Sequence, residues 1–227
     1  MVHFFDINTV FFTALGYPMS YLEFFGTIFN VWCVWLAAKN KVLNWPVGIV
    51  AVVLFFALFY QIRLYSDMVE QAYFFVTGFW GWWVWTHPKG DDRKEDGEMR
   101  VVRSDRNEAV LAAAITGAGT LALGGFMSKI HLILPSIFQA PADYPYWDAF
   151  TTVMSFVATI LMGRKRVDCW VYWITVDVIG IWLYYVKGVK FISLEYVVFL
   201  VMATWGLITW ARSLESSKTG RQPYANV

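Results

Sequence analysis

Hydrophobic residues are grouped along this chain into long apolar stretches, separated by short segments that carry charged and turn-forming residues. A transmembrane α-helix needs about 20 mostly apolar residues to cross the hydrocarbon core of a bilayer. Stretches near that length predict seven spans, at 21–38, 44–62, 67–86, 108–128, 148–163, 168–186 and 191–211. The pattern therefore predicts an all-α membrane protein with seven transmembrane helices.

The segment before the first predicted span, residues 1–20, is apolar but different in kind. It contains Asp6 and Asn8, and it lacks the Lys and Arg residues that begin a signal peptide. Its apolar part is too short to cross a bilayer. We therefore predict an interfacial segment here rather than a span.

The chain also contains an internal repeat that needs no gap. When the sequence is shifted by 125 residues, 15 of the 64 positions in 23–86 are identical to those in 148–211. Three tryptophans keep their register between the copies: Trp45 with Trp170, Trp80 with Trp205, and Trp85 with Trp210. The basic turn at 39–41 also falls on the basic turn at 164–166. Apolar composition alone does not hold such a register, so we predict two copies of one three-helix unit.

A single span between the copies returns the chain to its starting side of the membrane. The two copies are therefore predicted to be parallel repeats, an arrangement that transporters use to build a substrate site between repeats. The predicted organisation is an N-terminal interfacial segment (1–20), a first three-helix bundle (21–86), a cytoplasmic loop (87–107), a linker helix (108–128), an external loop (129–147), a second three-helix bundle (148–211) and a cytoplasmic tail (212–227). The loop at 87–107, dense in charged residues and glycine, is interpreted as a solvated connector.

The distribution of basic residues orients this bundle. The side that holds the turns at 39–41 and 164–166, the loop at 87–107 and the C-terminus contains 14 of the 18 Lys and Arg residues. Because cytoplasmic loops of membrane proteins are enriched in Lys and Arg, this side is predicted to be cytoplasmic. The N-terminus is then outside and the C-terminus inside.

Composition and charge exclude several classes of function. The chain is 58% hydrophobic and 15% charged, and its net charge of +1 offers no basic surface for nucleic acid. The three His and two Cys residues show no metal-binding or catalytic spacing, and no phosphate-binding glycine loop is present. We therefore expect no enzymatic activity and no cofactor, and we expect a lipid bilayer and a small-molecule substrate as partners.

The most informative polar residue is Asp177, near the centre of the sixth predicted span. A central Asp costs about 2.5–3.5 kcal/mol on membrane-insertion scales, so its side chain should face the interior of the bundle. Helical spacing places Trp173, Gly180 and Tyr184 on the same face. Asp177 is interpreted as a substrate or proton site; the alternative is a hydrogen bond that only holds the helices together.

Further polar and aromatic residues are candidates for the same site. Asn30 and Ser155 are repeat partners near mid-span, and they either line a pathway or hydrogen-bond between helices. Gln71, with Tyr196 as its repeat partner, can both donate and accept hydrogen bonds toward a ligand. Trp182 is an aromatic candidate that does not share the face of Asp177 at ideal spacing.

Several motifs together resemble the PnuC-type vitamin transporters. They are Asn44-Trp-Pro-Val-Gly-Ile, Tyr60-Gln-Ile-Arg-Leu-Tyr65, Gln71-Ala-Tyr-Phe-Phe75, Gly81-Trp-Trp-Val-Trp85, Trp147-Asp148, Ile160-Leu-Met-Gly163 with its basic turn, Lys187-Gly188 and Ser193-Leu-Glu-Tyr196. The resemblance covers residues 21–211. It implies a fold related to the SWEET sugar transporters and uptake of nicotinamide riboside across a bacterial inner membrane. It also implies facilitated diffusion, with phosphorylation in the cytoplasm trapping the substrate, and it is compatible with a homotrimer.

The resemblance leaves the substrate open, because relatives take thiamine, riboflavin or deoxynucleosides. The family pattern often has Asn at the position of Asp177. An anionic Asp177 favours a pyridinium or thiazolium cation over a neutral ligand. The rival hypotheses are a proton-coupled carrier in which Asp177 titrates, and a membrane enzyme or receptor.

Overall fold

The computed structural model contains seven long helices preceded by a β-hairpin, and it describes residues 4–14, 16–62, 65–90, 93, 97–135, 141, 143–188 and 190–219. The hairpin pairs β1 (Val10–Ala14) with β2 (Tyr17–Ser20) in antiparallel register. The helices are α1 (Tyr21–Ala38), α2 (Asn44–Gln61), α3 (Tyr65–Thr86), α4 (Arg106–Ile133), α5 (Pro145–Gly163), α6 (Cys169–Val186) and α7 (Lys190–Thr219). The hairpin occupies the segment that hydropathy could describe only as interfacial.

Five of the described helices are long and apolar enough to cross a membrane: α1, α2, α4, α6 and the part of α7 at Ile192–Glu215. The other two, α3 and α5, have 22 and 19 residues but a more polar composition. The first turns of α3 contain Asp67, Glu70 and Gln71, and α5 begins at Pro145 and carries Asp148 in its first turn. The structure thus supports a multi-pass, all-α membrane protein, while the arrangement of three, one and three spans stays a prediction.

Several helices extend beyond the spans predicted from hydropathy. The start of α4 is fixed by a capping box, in which the Asp105 carboxylate accepts from the Glu108 backbone N–H at 2.8 Å. In return, the Asp105 backbone N–H donates to the Glu108 carboxylate at 3.3 Å. Hydropathy detects only the apolar part of a helix, so the polar turns at both ends of α4 and at the end of α7 lie outside the predicted spans.

The chain divides into two compact units, residues 1–100 and 101–227. Within the first unit, α2 packs against both α1 and α3. Within the second unit, α5 packs against α4 and α6, and α6 packs against α7. Helices that follow each other in sequence are therefore packing partners inside each unit.

Each unit contains the same tryptophan arrangement. The rings of Trp45 and Trp85 lie 5.5 Å apart at 88°, and those of their repeat partners Trp170 and Trp210 also lie 5.5 Å apart at 88°. A glycine makes room for the first ring of each pair, since a Cβ atom on Gly81 would lie 2.3 Å from Trp45. On Gly206, the repeat partner of Gly81, a Cβ atom would lie 2.7 Å from Trp170. The repeat in the sequence is thus also a repeat in packing.

The basic turns repeat as well. Asn40 and Lys165, which occupy equivalent positions, both have left-handed backbone conformations, with φ of 59° and 52°. The N–H of each closes the preceding helix by donating to a carbonyl three residues earlier, on Ala37 and Met162, at 2.9 Å in both cases. This is a standard way to end a helix, and it sets the direction in which α2 and α6 leave the turn.

The connector that precedes α4 is not solvated throughout, contrary to the interpretation of 87–107 as a solvated loop. Val101 is fully buried, and Val102 pairs with the turn between α5 and α6. The Val102 N–H donates to the Lys165 carbonyl at 3.1 Å, and the Val167 N–H donates to the Val102 carbonyl at 2.9 Å. Backbone pairing at Val102 therefore links the end of the connector to this turn.

Ion pairs strengthen the same junction. The Glu108 carboxylate lies 2.8 Å from the Arg166 guanidinium, whose side chain is 23% exposed, and 3.5 Å from that of Arg164, which is 55% exposed. The Asp168 carboxylate accepts from the Ser104 backbone N–H at 2.7 Å. The start of α4 is thereby attached to the turn between α5 and α6.

We expect Arg166→Gln to lower the apparent free energy of unfolding by about 1 kcal/mol, at the upper end of the range for partly exposed pairs. The matched control is Arg164→Gln, whose longer and more exposed contact should contribute less than half as much. Thermal unfolding of both variants in the same detergent tests the difference. Equal shifts in melting temperature for the two variants would show that the 2.8 Å contact contributes no more than the loss of one positive charge near Glu108.

Candidate functional site

The buried carboxylate of Asp177 is the central feature of the second unit. Asp177 is 3% exposed and lies in the middle of α6. Within the part of the chain that the structure describes, no group donates a hydrogen bond to this carboxylate and no cation pairs with it. Burying such a group without a partner is unfavourable, so its position calls for a ligand or a proton.

An aromatic wall lies on the same face of α6 as Asp177. Gly180, one turn further along, is buried against Tyr196 of α7, and a Cβ atom at Gly180 would lie 2.5 Å from the Tyr196 ring. The rings of Tyr184 and Tyr196 are stacked, 5.3 Å apart at 19°. Glycine at 180 therefore lets α7 bring Tyr196 against α6, and Tyr184 packs over it. Both tyrosines were predicted as site residues.

A charged pair adjoins this wall at the C-terminal end of α6. The Lys187 ammonium group donates to both oxygens of the Asp148 carboxylate, at 2.7 and 2.8 Å, and it lies 5.8 Å from the centre of the Tyr184 ring. Asp148 is in the first turn of α5, so the pair joins α5 to α6. Both residues fall in the motifs that carry the family resemblance, but no contact between them is predicted from the sequence. The signal for such a contact is a pair of opposite charges at the ends of two neighbouring spans.

The other predicted residues of the second unit are placed differently. Trp173 is half-buried on α6, one turn before Asp177, and Ser155 is buried in α5. Trp182 is 44% exposed, and its ring packs edge-on against Tyr144 and Trp147, 5.7 and 5.5 Å away. The structure thus groups Trp182 with aromatic residues at the start of α5, not with the face of Asp177.

The first unit carries the remaining candidates. Asn30 in α1 and Gln71 in α3 are both half-buried. The residues of α2 equivalent to Asp177, Gly180 and Tyr184 are Val52, Phe55 and Phe59. Phe55 and Phe59 stack on each other at 5.7 Å, so this surface of the first unit is apolar where its counterpart is polar. The two copies keep one scaffold but differ in the chemistry that they present.

The α6 face offers two kinds of interaction along its length. A carboxylate accepts hydrogen bonds from hydroxyls and attracts cations. The tyrosine rings offer π faces and phenolic hydroxyls. Asp177 and Tyr184 are seven residues apart, which is about 10 Å along a helix. No group of three or more His, Cys, Asp or Glu residues suited to a metal occurs among the described residues.

Comparison with known proteins identifies the family. The model of the family described as nicotinamide mononucleotide transporter matches residues 20–212. The nicotinamide riboside transporter PnuC of Escherichia coli strain K12 is 29% identical over 215 residues, covering 88% of this chain and 89% of its own. The riboflavin/roseoflavin transporter RibM of Streptomyces davaonensis is 25% identical, covering 90% of this chain and 91% of its own.

The fold agrees with that of a solved relative. The crystal structure of the vitamin B3 transporter PnuC matches with a TM-score of 0.66 and 22% identity, covering 86% of this chain and 82% of that one. The family model, which matches residues 20–212, includes α1 to α6 in full, most of α7, the α6 face and the charged pair. This protein therefore belongs to the nicotinamide mononucleotide transporter family and is a PnuC-type membrane transporter, not an enzyme.

Proposed function

We propose that this chain takes up nicotinamide riboside by facilitated diffusion. The observation that carries the proposal is the buried, unpartnered carboxylate of Asp177 beside a tyrosine wall, in a chain whose relative of 29% identity is a nicotinamide riboside transporter. Nicotinamide riboside combines a cationic pyridinium ring with ribose hydroxyls. It therefore carries both a positive charge and hydroxyl donors, which are the two kinds of partner that the Asp177 carboxylate lacks.

Transport would follow alternating access. The bundles 21–86 and 148–211, as parallel repeats joined by α4 in a SWEET-like fold, would rock against each other around a midplane site. The protein would lie in the inner membrane of a bacterial cell, with its N-terminus outside and its C-terminus in the cytoplasm. Phosphorylation of the arriving nucleoside in the cytoplasm would give it a negative charge and prevent its return.

Each candidate residue has a role in this scheme. Asp177 pairs with the pyridinium cation or binds the ribose hydroxyls, and Trp173, Tyr184 and Tyr196 supply ring faces for stacking. From the first unit, Gln71 hydrogen-bonds the carboxamide or ribose. Asn30 and Ser155 line the pathway, and Trp182 is a further aromatic candidate outside the face of Asp177.

A homotrimer is the assembly that we propose, but the small residues of α4 support it only in part. A Cβ atom on Gly119 would lie 3.0 Å from Val153, and one on Gly124 would lie 2.4 Å from Tyr146, so both glycines face α5 of the same chain. At Gly117 nothing lies within 4 Å. The surface available to another copy therefore includes Gly117 and its exposed apolar neighbours, such as Ile115 and Leu121.

The second candidate function is transport of another vitamin or nucleoside, with or without protons. The similarity to a riboflavin/roseoflavin transporter favours considering a flavin, and thiamine shares a cationic ring with nicotinamide riboside. An ionisable Asp177 in mid-span also favours a proton-coupled carrier as an alternative.

Uptake of labelled nicotinamide riboside, thiamine and riboflavin into proteoliposomes tests the proposal. We expect nicotinamide riboside to equilibrate across the membrane without accumulating, and the other two to enter no faster than in protein-free vesicles. If only thiamine or only riboflavin entered faster than in protein-free vesicles, the proposed substrate would be wrong and the family assignment would stand. Uptake that rises above equilibrium with an inward proton gradient, and loses that response in Asp177→Asn, would establish proton coupling.

A further inference from the structure

The N-terminal segment forms a compact aromatic cap on the first unit. Phe4 and Ile7 pack against a buried cluster of Leu22, Leu54 and Leu58 from α1 and α2. The ring of Phe11 lies 4.6 Å from that of Tyr21. Further ring contacts join this segment to α1, involving Phe4, Phe11, Phe12, Tyr21, Phe24 and Phe25. The cap is thus part of the folded unit rather than a loose extension.

Polar contacts fix the cap in one position. The Gln61 side chain at the end of α2 accepts from the Ile7 backbone N–H at 3.0 Å and donates to the Phe5 carbonyl at 2.7 Å. At the other end of the cap, the Tyr17 hydroxyl donates to Glu23 at 2.6 Å. Partial burial of Tyr17, together with this hydrogen bond to Glu23, raises its pKa to about 12, so the phenol stays protonated and able to donate. Gln61 and Glu23 thus hold the cap from two helices.

Although it is held in place, the cap exposes aromatic and aliphatic side chains that its own contacts do not cover. Phe5 is 60% exposed, and Val10, Phe11, Phe12 and Tyr17 are between 39% and 48% exposed. The turn at Asp6–Asn8 is polar: the half-buried Asp6 accepts hydrogen bonds through its carboxylate from both the backbone and the side-chain N–H groups of the exposed Asn8. The cap is therefore amphipathic, with an apolar surface and a polar turn.

The helices that carry the cap also expose apolar side chains. Exposed apolar side chains follow on α1 and α2, including Ile28, Trp32, Val53 and Phe56. Such side chains on a transmembrane helix face lipid. Aromatic residues are enriched where a membrane protein meets the headgroup layer. The absence of Lys and Arg from residues 1–20 of the sequence also fits the outer rather than the cytoplasmic surface.

We infer that residues 5–14 and 16–17 form a lipid-binding cap, which inserts Phe5, Phe11 and Phe12 into the headgroup layer at the N-terminal end of α1 while Asn8 stays in water. The occupant of this apolar surface is thus the bilayer interface, and neither a soluble partner nor a second copy of the chain. The inference rests on the membrane-spanning helices and, for the outer leaflet, on the orientation proposed above. It does not depend on the substrate.

Spin labelling in proteoliposomes tests the inference. In a background with Cys33→Ala and Cys169→Ala, a nitroxide is attached at Phe5→Cys or Phe12→Cys, with Asn8→Cys, which is also exposed, as control. Oxygen concentrates in the hydrocarbon and a nickel chelate stays in water. We expect the ratio of oxygen to nickel collisions at positions 5 and 12 to exceed that at position 8 several-fold.

Two results would overturn the inference. Equal collision ratios at all three positions would place the cap in water. Poor access of both reagents to positions 5 and 12 would mean that protein covers the surface. Nicotinamide riboside uptake is measured on the same labelled samples, so that the two proposals are tested separately. Lost uptake with labels in lipid would count only against the proposed substrate, and uptake with labels in water would count only against the cap.

Discussion

Replacing Asp177 with Ala is expected to weaken nicotinamide riboside binding by roughly 10- to 100-fold. Hydrogen bonds to a charged group contribute about 1.5–3 kcal/mol, and a cation paired with a buried carboxylate belongs in the same range. Asp177→Asn separates the two contributions, because it keeps hydrogen-bonding capacity and removes charge. If the pyridinium cation is what the carboxylate attracts, the Asn variant should resemble the Ala variant. Titration calorimetry of nicotinamide riboside binding to the detergent-solubilised protein measures the change.

Thermal unfolding of the Asp177 variants distinguishes a binding role from a structural one. A buried carboxylate without described donors destabilises the ligand-free protein, so its removal should leave the melting temperature unchanged or raise it. Val52→Ala, at the equivalent position of α2, is the matched control and should leave affinity within about twofold. Unchanged affinity in Asp177→Ala, or a large fall in its melting temperature, would contradict the assignment.

Gly180→Ala is expected to lower substrate affinity by about tenfold through the displacement of Tyr196. A methyl group at position 180 would lie 2.5 Å from Cδ1 and 2.6 Å from Cε1 of that ring. The ring cannot move aside freely, because it stacks on Tyr184 and meets Phe199 edge-on. Overpacking of this kind costs the folded protein about 1–3 kcal/mol. Moving the Tyr196 ring away from the ligand also removes an aromatic contact of about 0.5–1.5 kcal/mol, which corresponds to as much as about tenfold in affinity.

The control for Gly180→Ala is Gly125→Ala, where the added methyl group meets only the Tyr146 hydroxyl, at an ordinary contact distance of 3.9 Å. Alanine favours a helix over glycine by about 1 kcal/mol, so this control should be slightly more stable and equally active. In Gly180→Ala the same gain in helix preference offsets part of the overpacking cost. The loss of binding free energy should therefore exceed the loss of unfolding free energy. Full affinity in Gly180→Ala would show that the stacked tyrosines take no part in binding.

Much of the helical architecture was accessible from sequence, because hydrocarbon imposes length and composition on any segment that crosses it. The tryptophan register identified the repeat, and the pairs at Trp45–Trp85 and Trp170–Trp210 show the same geometry in both units. The hairpin at 10–20 escaped detection. Its strands have five and four residues, and an irregularity between Val10 and Phe12 breaks the alternation by which strands are recognised.

The candidate site could be predicted residue by residue but not as an arrangement. Spacing along one helix places Gly180 and Tyr184 on the face of Asp177, since those positions follow from 3.6 residues per turn. Contact between Gly180 and Tyr196 depends on how α7 crosses α6, and contact between Lys187 and Asp148 joins residues 39 positions apart. Packing between helices decides such contacts, and periodicity along one helix carries no information about them.

Packing between sequence neighbours has a consequence for how the protein is made. Within the first unit α2 meets α1 and α3, and within the second unit α5 meets α4 and α6 before α7 is added. A ribosome releases helices in this same order, so each one finds its partner already synthesised. The tryptophan pair of each unit would then form when its last helix emerges, at Trp85 and again at Trp210. The two units would then fold one after the other during translation. Each would be completed when a tryptophan packs against another that was synthesised about 40 residues earlier.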